Sequence, residues 1–431
     1  MPTDNMKALM ESIPLPDELR ERAGAGIAAA AAARPGFGLL RGRRSQRPAR
    51  RRALAIAAAL LALLVLSAGI ANHDRVWAAL RKTFQFAPGT GVVTEEESPS
   101  ERYVLKKPIV LKVYKGEVTI TGMVVGEDMT YITMAGKQAP RVEQLDVVNG
   151  QGKQYTIERS MGSWGGDEWT ASFWHKGKLD LSGEVKLVLP LPEPVETSAV
   201  LERADGAASY AELGKTATAG GLSVTAIADR VGDRARISLV APPQESYWIN
   251  SYGIGWPIRY GSEDQLSVQD EAGRPLEVTW VRGTGAPQSE LYFPLSERQG
   301  AKYVMTIPEI SVLYRGEATV KVPTTSQDAL NKTFDIAGFP VTITKTERIG
   351  TDALRIYTDL HWDAKPDRSL YNLDIEGKGG MAKLSESTGA VEYMEFEIKP
   401  DSKEVKLTFV RPYVAIRGPW TFEWSADEIK P

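Results

Sequence analysis

The chain contains no cysteine and only three histidines among 431 residues. The absence of thiols excludes disulfide frameworks, thiolate metal sites and cysteine nucleophiles. His73, His175 and His361 are widely separated and form no HExxH pair or other histidine metal motif. There is also no G-x-S-x-G elbow and no glycine-rich phosphate loop. The sequence therefore predicts a protein that is not an enzyme, with no catalytic residue, cofactor or metal site.

Neither sign of charge is in large excess overall, since the formal net charge is −3, but the two signs are unevenly distributed. Residues 1–52 carry 11 Lys+Arg against 5 Asp+Glu, and the rest of the chain carries 41 against 50. A basic tail on an acidic body is typical of a chain whose parts meet different compartments. Without disulfides, an extracytoplasmic body favours a bacterial cell surface.

One long apolar run stands out, Ala53–Ala71, with 19 residues and no charge. As a helix rising 1.5 Å per residue it would cover about 28 Å, close to the hydrocarbon thickness of a bilayer. Arg50, Arg51 and Arg52 directly precede it and predict topology and lipid contact, with a cytoplasmic N-terminus and extracellular C-terminal domains. An uncleaved signal-anchor is favoured over a buried core helix, and over a cleaved signal peptide because the basic region before it is too long.

Residues 72–100 are predicted to form a juxtamembrane amphipathic helix followed by a linker. Val76, Trp77, Leu80 and Phe84 fall on one helical face. Two interpretations remain open: an interfacial helix anchored on the bilayer by Trp77, or a stalk that continues the membrane helix. The Ala87–Gly91 stretch is predicted to end this helix.

Beyond residue 100 the helical period gives way to short runs rich in β-branched and aromatic residues, separated by Gly, Pro, Asn and Asp. This pattern predicts a mostly β protein with about three tandem immunoglobulin-like β-sandwich modules. Closed sheets are the alternative. Proline-rich stretches, including 189–194 and 322–323, suggest the module boundaries. The predicted modules are 101–195, 205–325 and 326–431.

An internal repeat supports this division. Lys215-Thr216 and the following 221–225 match Lys332-Thr333 and 338–342 at an offset of 117 positions. Arg236-Ile237 matches Arg355-Ile356 at an offset of 119, so an insertion of two residues would restore the register. A period of this length indicates duplicated domains rather than a solenoid.

Two groups of aromatic residues and several acidic pairs are the remaining surface candidates. The aromatic groups are Trp164, Trp169, Phe173 and Trp174, and Tyr247, Trp248, Tyr252, Trp256 and Tyr260. They could stack on cell-wall glycan or anchor a partner protein, but packing in a sandwich core is favoured. Asp167-Glu168, Glu263-Asp264 and Asp270-Glu271 lack the calcium-loop pattern and are expected to be solvated.

The N-terminal segment has the pattern P-x-x-L-x-x-R-x-x-x-G-I, in which Pro16, Leu19 and Ile27 are followed by alanines, a basic stop and the apolar span. This layout resembles anti-sigma-factor-like single-pass membrane proteins of Gram-positive, spore-forming bacteria, whose outer part is a domain family of unknown function. The resemblance implies a cytoplasmic helix within residues 1–52 that holds a sigma factor inactive. Leu15, Leu19 and Ile27 would form its partner-binding face.

Two functional hypotheses follow. In the first, the chain is an envelope sensor that sequesters a cytoplasmic sigma factor and does not itself bind nucleic acid. In the second, it is a surface module array that binds cell-wall polymer or another envelope protein, and the basic tail only sets topology.

Overall fold

The computed structural model describes residues 83–96, 100–259, 265–280 and 287–430. All of them belong to one compact unit, Arg75–Pro431. They are mostly β-strand, which confirms the predicted β-rich class. The predicted cytoplasmic helix and the predicted span 53–71 lie outside the described residues. In the part of the chain that is described, no helix has both the length and the apolarity to cross a bilayer.

The described chain begins with an N-terminal hairpin, formed by β1 (Thr83–Ala87) and β2 (Val92–Glu96). The sequence predicts a helix that continues through Phe84 to the Ala87–Gly91 stretch and a linker from Glu95, and this prediction is wrong for residues 83–96, which form two strands. Gln85 and Ala87 are buried and alternate with the half-buried Phe84 and Phe86, which is the period of a strand. The Pro88–Gly91 stretch between the strands is a turn rather than a helix stop.

The first sandwich is built from nine antiparallel strands. These are β3 (Tyr103–Val104), β4 (Ile109–Val113), β5 (Gly116–Val125), β6 (Met129–Lys137), β7 (Gln144–Val148), β8 (Gln154–Gly165), β9 (Glu168–Lys176), β10 (Gly183–Leu189) and β11 (Val195–Arg203). Their spatial order is β3-β11-β10-β7-β8-β9-β6-β5-β4. The first half of β8 pairs with β7 and the second half with β9, so β8 passes from one layer to the other.

The layers of the first sandwich also meet through β3, which pairs with both β11 and β5. Val118, Ile120 and Leu145 are fully buried in the core between the layers. The predicted module end at residue 195 is too early, because β11 begins there and pairs with β10 along its length. The proline-rich stretch 190–194 is the connection between these two strands rather than a domain boundary.

A short linker joins the first sandwich to the rest of the chain. It contains β12 (Gly206–Ala207) and the one-turn helix α1 (Tyr210–Leu213). β12 pairs with β1, so the N-terminal hairpin and the linker form one three-stranded sheet.

The second and third sandwiches are built from three sheets around one continuous core. The second sandwich has an outer sheet of β13 (Lys215–Ala219), β14 (Leu222–Val231), β15 (Arg234–Val240) and β18 (Glu290–Pro294). The outer sheet of the third has β21 (Lys332–Ile336), β22 (Phe339–Ile349), β23 (Ala353–Asp359), β25 (Gly380–Leu384) and β26 (Val391–Glu397). The shared sheet has β16 (Tyr247–Ser251), β17 (Ser267–Asp270), β19 (Lys302–Tyr314), β20 (Glu317–Pro323), β24 (Arg368–Ile375) and β27 (Glu404–Ser425).

The shared sheet is organised around the long strand β27. Its first half pairs with β20 and its second half with β19, in one antiparallel ladder from Glu404 to Ser425. Trp420 in the second half donates its indole N–H to Leu222 O of the second sandwich, at 2.8 Å. Phe409 in the first half stacks on Phe334 of the third sandwich, with ring centroids 4.8 Å apart. The predicted boundary at 325/326 therefore separates no independent units, because the last strand of the chain completes both cores.

The internal repeat is confirmed as a pair of equivalent three-strand units, β13-β14-β15 and β21-β22-β23. Thr216 pairs with Thr225, and Thr333 pairs with Thr342, and each pair is joined by a hydroxyl hydrogen bond of 2.7 and 2.9 Å respectively. The two added residues are accounted for by a bulge in β22 and a longer β22–β23 turn.

Candidate functional site

The N-terminal hairpin occupies the junction between the first and second sandwiches. Its strand β1 pairs with the linker strand β12, and Phe84 packs on Tyr210 of α1 with ring centroids 5.0 Å apart. The hairpin turn reaches between the two sandwiches and bonds to both. The hydrogen bonds of the hairpin therefore depend on the position of the first sandwich relative to the second.

Gly89, at the tip of the hairpin, is the residue that bridges the two sandwiches. Its N–H donates to Oε1 of Glu290 in the second sandwich at 2.7 Å, and its carbonyl accepts from the Thr133 hydroxyl of the first at 2.9 Å. Gly89 has φ of +76°, and a Cβ built on it would lie 1.8 Å from the carbonyl oxygen of Thr121. Only glycine satisfies both the left-handed backbone and this close approach.

Arg102 holds the two strands of the hairpin to the start of the first sandwich. The residue is buried, and its Nη1 donates to Gln85 Oε1 at 3.0 Å and to Thr94 Oγ1 at 2.8 Å. Its Nη2 forms an ion pair with Glu96. Gln85 in turn donates to the carbonyl of Ala204 in the linker at 3.3 Å. One guanidinium thus contacts both hairpin strands.

The Arg102 ion pair makes the hold on the hairpin dependent on pH. The hydrogen bonds from Arg102 and from the N–H of Ser100 lower the pKa of Glu96. Because the pKa of Glu96 is lower in the folded state than its unfolded value of about 4.3, the ionised carboxylate stabilises the fold at pH values above 4.3. This stability is lost as the pH falls through the folded-state pKa. We expect Glu96→Gln to reduce the melting temperature at neutral pH, and this difference to shrink progressively below about pH 4. The control is Glu184→Gln, because Glu184 is an exposed carboxylate on β10. If the melting temperatures of Glu96→Gln and the unmodified chain differed by the same amount at every pH, this assignment would be contradicted.

A buried charged cluster lies on the outer face of the second sandwich, where it meets the first. Glu290 also accepts from the Ser238 hydroxyl at 3.0 Å. Arg236, which is 1 % exposed, donates from Nη2 to Lys106 O of the first sandwich at 2.8 Å and to Asp229 Oδ2 at 2.9 Å. Burial raises the pKa of Glu290, against the opposing effects of Arg236 and the Gly89 N–H. Removing one partner from such a cluster leaves an uncompensated buried charge, which typically costs about 3–5 kcal/mol.

The residues singled out from the sequence are only partly found in the described structure. The predicted partner-binding residues Leu15, Leu19 and Ile27, and the topology residues Arg50, Arg51, Arg52 and Trp77, all lie outside the described residues. The acidic pair Glu263-Asp264 lies outside them too. Within 83–96, 100–259, 265–280 and 287–430, no three His, Cys, Asp or Glu side chains are grouped to hold a metal ion.

The aromatic groups divide between core and surface. Trp169, Phe173, Tyr247 and Tyr252 are buried, which confirms the prediction of core packing for these four. Trp164, Trp174, Trp248 and Trp256 are instead 46–67 % exposed. Arg141 lies over the Trp164 ring, 4.6 Å from its centroid. Tyr260 lies outside the described residues.

Sequence reasoning missed the residues of the junction. A signal for the hairpin was present, because the alternating Thr83–Ala87 run is separated from Val92 and Val93 by a glycine-containing turn. No comparable signal marked Arg102 or Glu290, and the repeat that contains Arg236 does not show that Arg236 contacts Lys106 of the first sandwich, 130 residues earlier.

Comparison with known proteins adds little to these observations. No protein-family model and no curated protein matches the chain. Among solved structures, a marsupial T cell receptor is 8 % identical, aligned over 75 % of this chain and 99 % of that chain, with a TM-score of 0.11. A TM-score of this size does not establish a shared fold.

Proposed function

We propose that the chain is a membrane-anchored envelope sensor, whose N-terminal segment holds a cytoplasmic sigma factor and whose β-rich domains lie outside the cell. The observation that carries the proposal is the placement of the N-terminal hairpin. It begins at Thr83, soon after the apolar run that ends at Ala71, and its tip is bonded to the first and second sandwiches. The domains would belong to the immunoglobulin-like class, supported by their antiparallel two-layer construction.

In this mechanism the hairpin is the mechanical link between the outer domains and the membrane segment. Separation of the first and second sandwiches breaks one of the two backbone hydrogen bonds of Gly89, because one is made to each sandwich. The hairpin is then held by one sandwich only, which changes the constraint on the segment that precedes it. Interfaces between domains of one chain are commonly polar and support such relative motion.

The test is capture of a sigma factor from the native cytoplasm by the tagged, detergent-solubilised full chain. We expect the unmodified chain to recover a sigma factor and Leu19→Asp to lose it, because the change places a charge in the predicted contact face. Leu9→Asp, in the same tail but outside that face, is the control and should retain capture. Absence of any sigma factor from the wild-type capture would contradict the proposal.

The second candidate function is a surface array that binds wall polymer or another envelope protein. The observation that favours it is the exposure of Trp164, Trp174, Trp248 and Trp256, since flat exposed rings suit sugar stacking and protein contacts. A failed sigma-factor capture, together with retention of the chain on purified cell wall, would favour this candidate over the sensor.

A further inference from the structure

A cleft of about 590 Å³ lies at one end of the first sandwich, where three connections between strands meet. They are residues 114–115 between β4 and β5, 138–143 between β6 and β7, and 166–167 between β8 and β9. The N–H of Gln138 donates to the carbonyl of Asp167 at 2.7 Å, which ties two of these connections together. The volume of the cleft falls within the range of about 300–1,000 Å³ typical of small-molecule sites.

The surface of the cleft is mostly apolar and includes two aromatic rings. Trp169 is only 6 % exposed, and its indole N–H is already bonded to the carbonyl of Ala139 at 2.9 Å. Tyr114 is 55 % exposed, and its hydroxyl accepts the N–H of Glu193 at 3.3 Å. This hydrogen bond orients the ring of Tyr114, while much of its surface remains open to a ligand.

Three polar side chains around these rings have no hydrogen bond or ion pair with the described residues. They are the amide of Gln138, the carboxylate of Asp167 and the guanidinium of Arg141, which lies over the ring of Trp164. An amide both donates and accepts, a carboxylate accepts and a guanidinium donates. Together they can bond to a ligand that carries several hydroxyl groups.

Neither sign of charge dominates the lining of the cleft. Lys115 and Arg141 are balanced by Asp167 and Glu168, and Glu168 also pairs with Lys137 at 3.9 Å. Exposed charges of mixed sign add little to the binding of an ion of either sign, because solvent screens them. The lining therefore suits an uncharged ligand that has an apolar face and many hydroxyl groups.

We propose that this cleft binds a neutral oligosaccharide, either free or as a stretch of a longer polymer. The C–H groups on one face of a sugar ring pack on Tyr114, and the hydroxyl groups bond to Gln138 and Asp167. A partner protein fits less well, because a stable protein interface buries more than about 1,000 Å² and this cleft holds only a few sugar rings. The assignment of the sugar to the cell wall rests on the second candidate function, whereas its binding requires only the first sandwich.

Isothermal titration calorimetry on the purified full chain tests the site, in a detergent without a sugar headgroup. Cellotetraose and chitotetraose are the neutral probes, and tetragalacturonate is an anionic probe of the same length. We expect saturable binding of one equivalent of a neutral probe and no binding of tetragalacturonate. Tyr114→Ala should weaken binding about tenfold by removing the stacking surface. Asp167→Ala should weaken it about tenfold by removing a charged acceptor.

Two variants are matched controls for these changes. Tyr114→Phe keeps the ring and should bind as the unmodified chain does. Trp256→Ala removes a side chain that is 67 % exposed between β16 and β17, away from the cleft, and should also leave binding unchanged. Retention of the chain on purified cell wall, competed away by the bound tetrasaccharide, would identify wall polymer as the source of the sugar. Tetrasaccharide binding without such retention would identify a free oligosaccharide.

Lack of saturable heat with both neutral probes at millimolar concentration would overturn the site, and so would tighter binding of tetragalacturonate. Equal affinity of the Tyr114→Ala and Trp256→Ala chains would do the same. Capture of an envelope protein that depends on Tyr114, without sugar binding, would replace the sugar by a protein partner. If the sugar binds as expected while the sigma-factor capture fails, the site stands and the sensor function alone is lost.

Discussion

Gly89→Ala is expected to release the N-terminal hairpin from the junction, lowering the free energy of its local opening by about 3 kcal/mol or more. The added Cβ would lie 1.8 Å from Thr121 O, so either the hairpin or strand β5 must move. Both hydrogen bonds of the Gly89 backbone are then lost. Limited chymotrypsin digestion at Phe84 and Phe86 measures the opening. Cleavage should accelerate about a hundredfold, because its rate follows the population of the open form.

Gly152→Ala is the control for strain at a left-handed glycine remote from the hairpin. Gly152 lies between β7 and β8 and has φ of +83°, similar to Gly89, but its Cβ would have no atom within 4 Å. The left-handed conformation alone costs an L-residue about 1–2 kcal/mol. Because this cost falls away from the hairpin, Gly152→Ala should lower the stability of the first sandwich and leave cleavage at Phe84 and Phe86 unchanged. Similar cleavage rates for Gly89→Ala and the unmodified chain would show that the close approach to Thr121 does not hold the hairpin.

The fragments 205–325 and 326–431 are each expected to stay unfolded alone. The first fragment lacks β27, so the carbonyl of Leu222 loses its hydrogen bond from Trp420 and β19 loses its main partner strand. The second lacks β19 and β20, so β27 loses its hydrogen-bonding partners along one edge, and Trp420 loses its contact with the second sandwich. Near-UV circular dichroism and thermal melting measure the outcome. Both fragments should show no fixed aromatic signal and no cooperative transition.

The joined fragment 205–431 is the matched control, because it contains the complete ladder and the shared core. We expect it to melt cooperatively. Cooperative melting of 205–325 by itself would show that the second sandwich does not need β27, and would restore the boundary expected from the sequence.

Short-range patterns allowed part of this fold to be predicted. The β-rich class follows from β-branched residues punctuated by Gly and Pro, and the repeat follows from matched residues such as Thr216 and Thr333 that occupy equivalent strand positions. The boundaries could not be predicted in the same way. The prolines at 190–194 connect paired strands, and β27 pairs with strands about a hundred residues earlier in the chain.

The candidate site was beyond sequence reasoning for a similar reason. Gly89 forms hydrogen bonds with Thr133 in one sandwich and with Glu290 in another. Local sequence patterns do not predict contacts between residues so far apart in the chain. Arg236 and Arg355 match in the repeat, yet one lies beneath the junction and the other on a more exposed sheet face. They differ in the residue paired with them on the neighbouring strand, Tyr292 for Arg236 and Glu395 for Arg355, and in the contact of Arg236 with the first sandwich.

Hydrogen–deuterium exchange of residues 83–96 in the unmodified full chain tests most directly whether the hairpin is locked into the junction. An isolated two-stranded hairpin is at best marginally stable in water, and its amides would exchange within seconds. Because β1 is paired on both edges and Gly89 is bonded to both sandwiches, the account predicts slow exchange, comparable to that of β5 in the first sandwich core. Gly89→Ala should abolish this protection while β5 keeps most of its own. Exchange of β1 in the unmodified chain at the rate of unprotected amides would contradict the account.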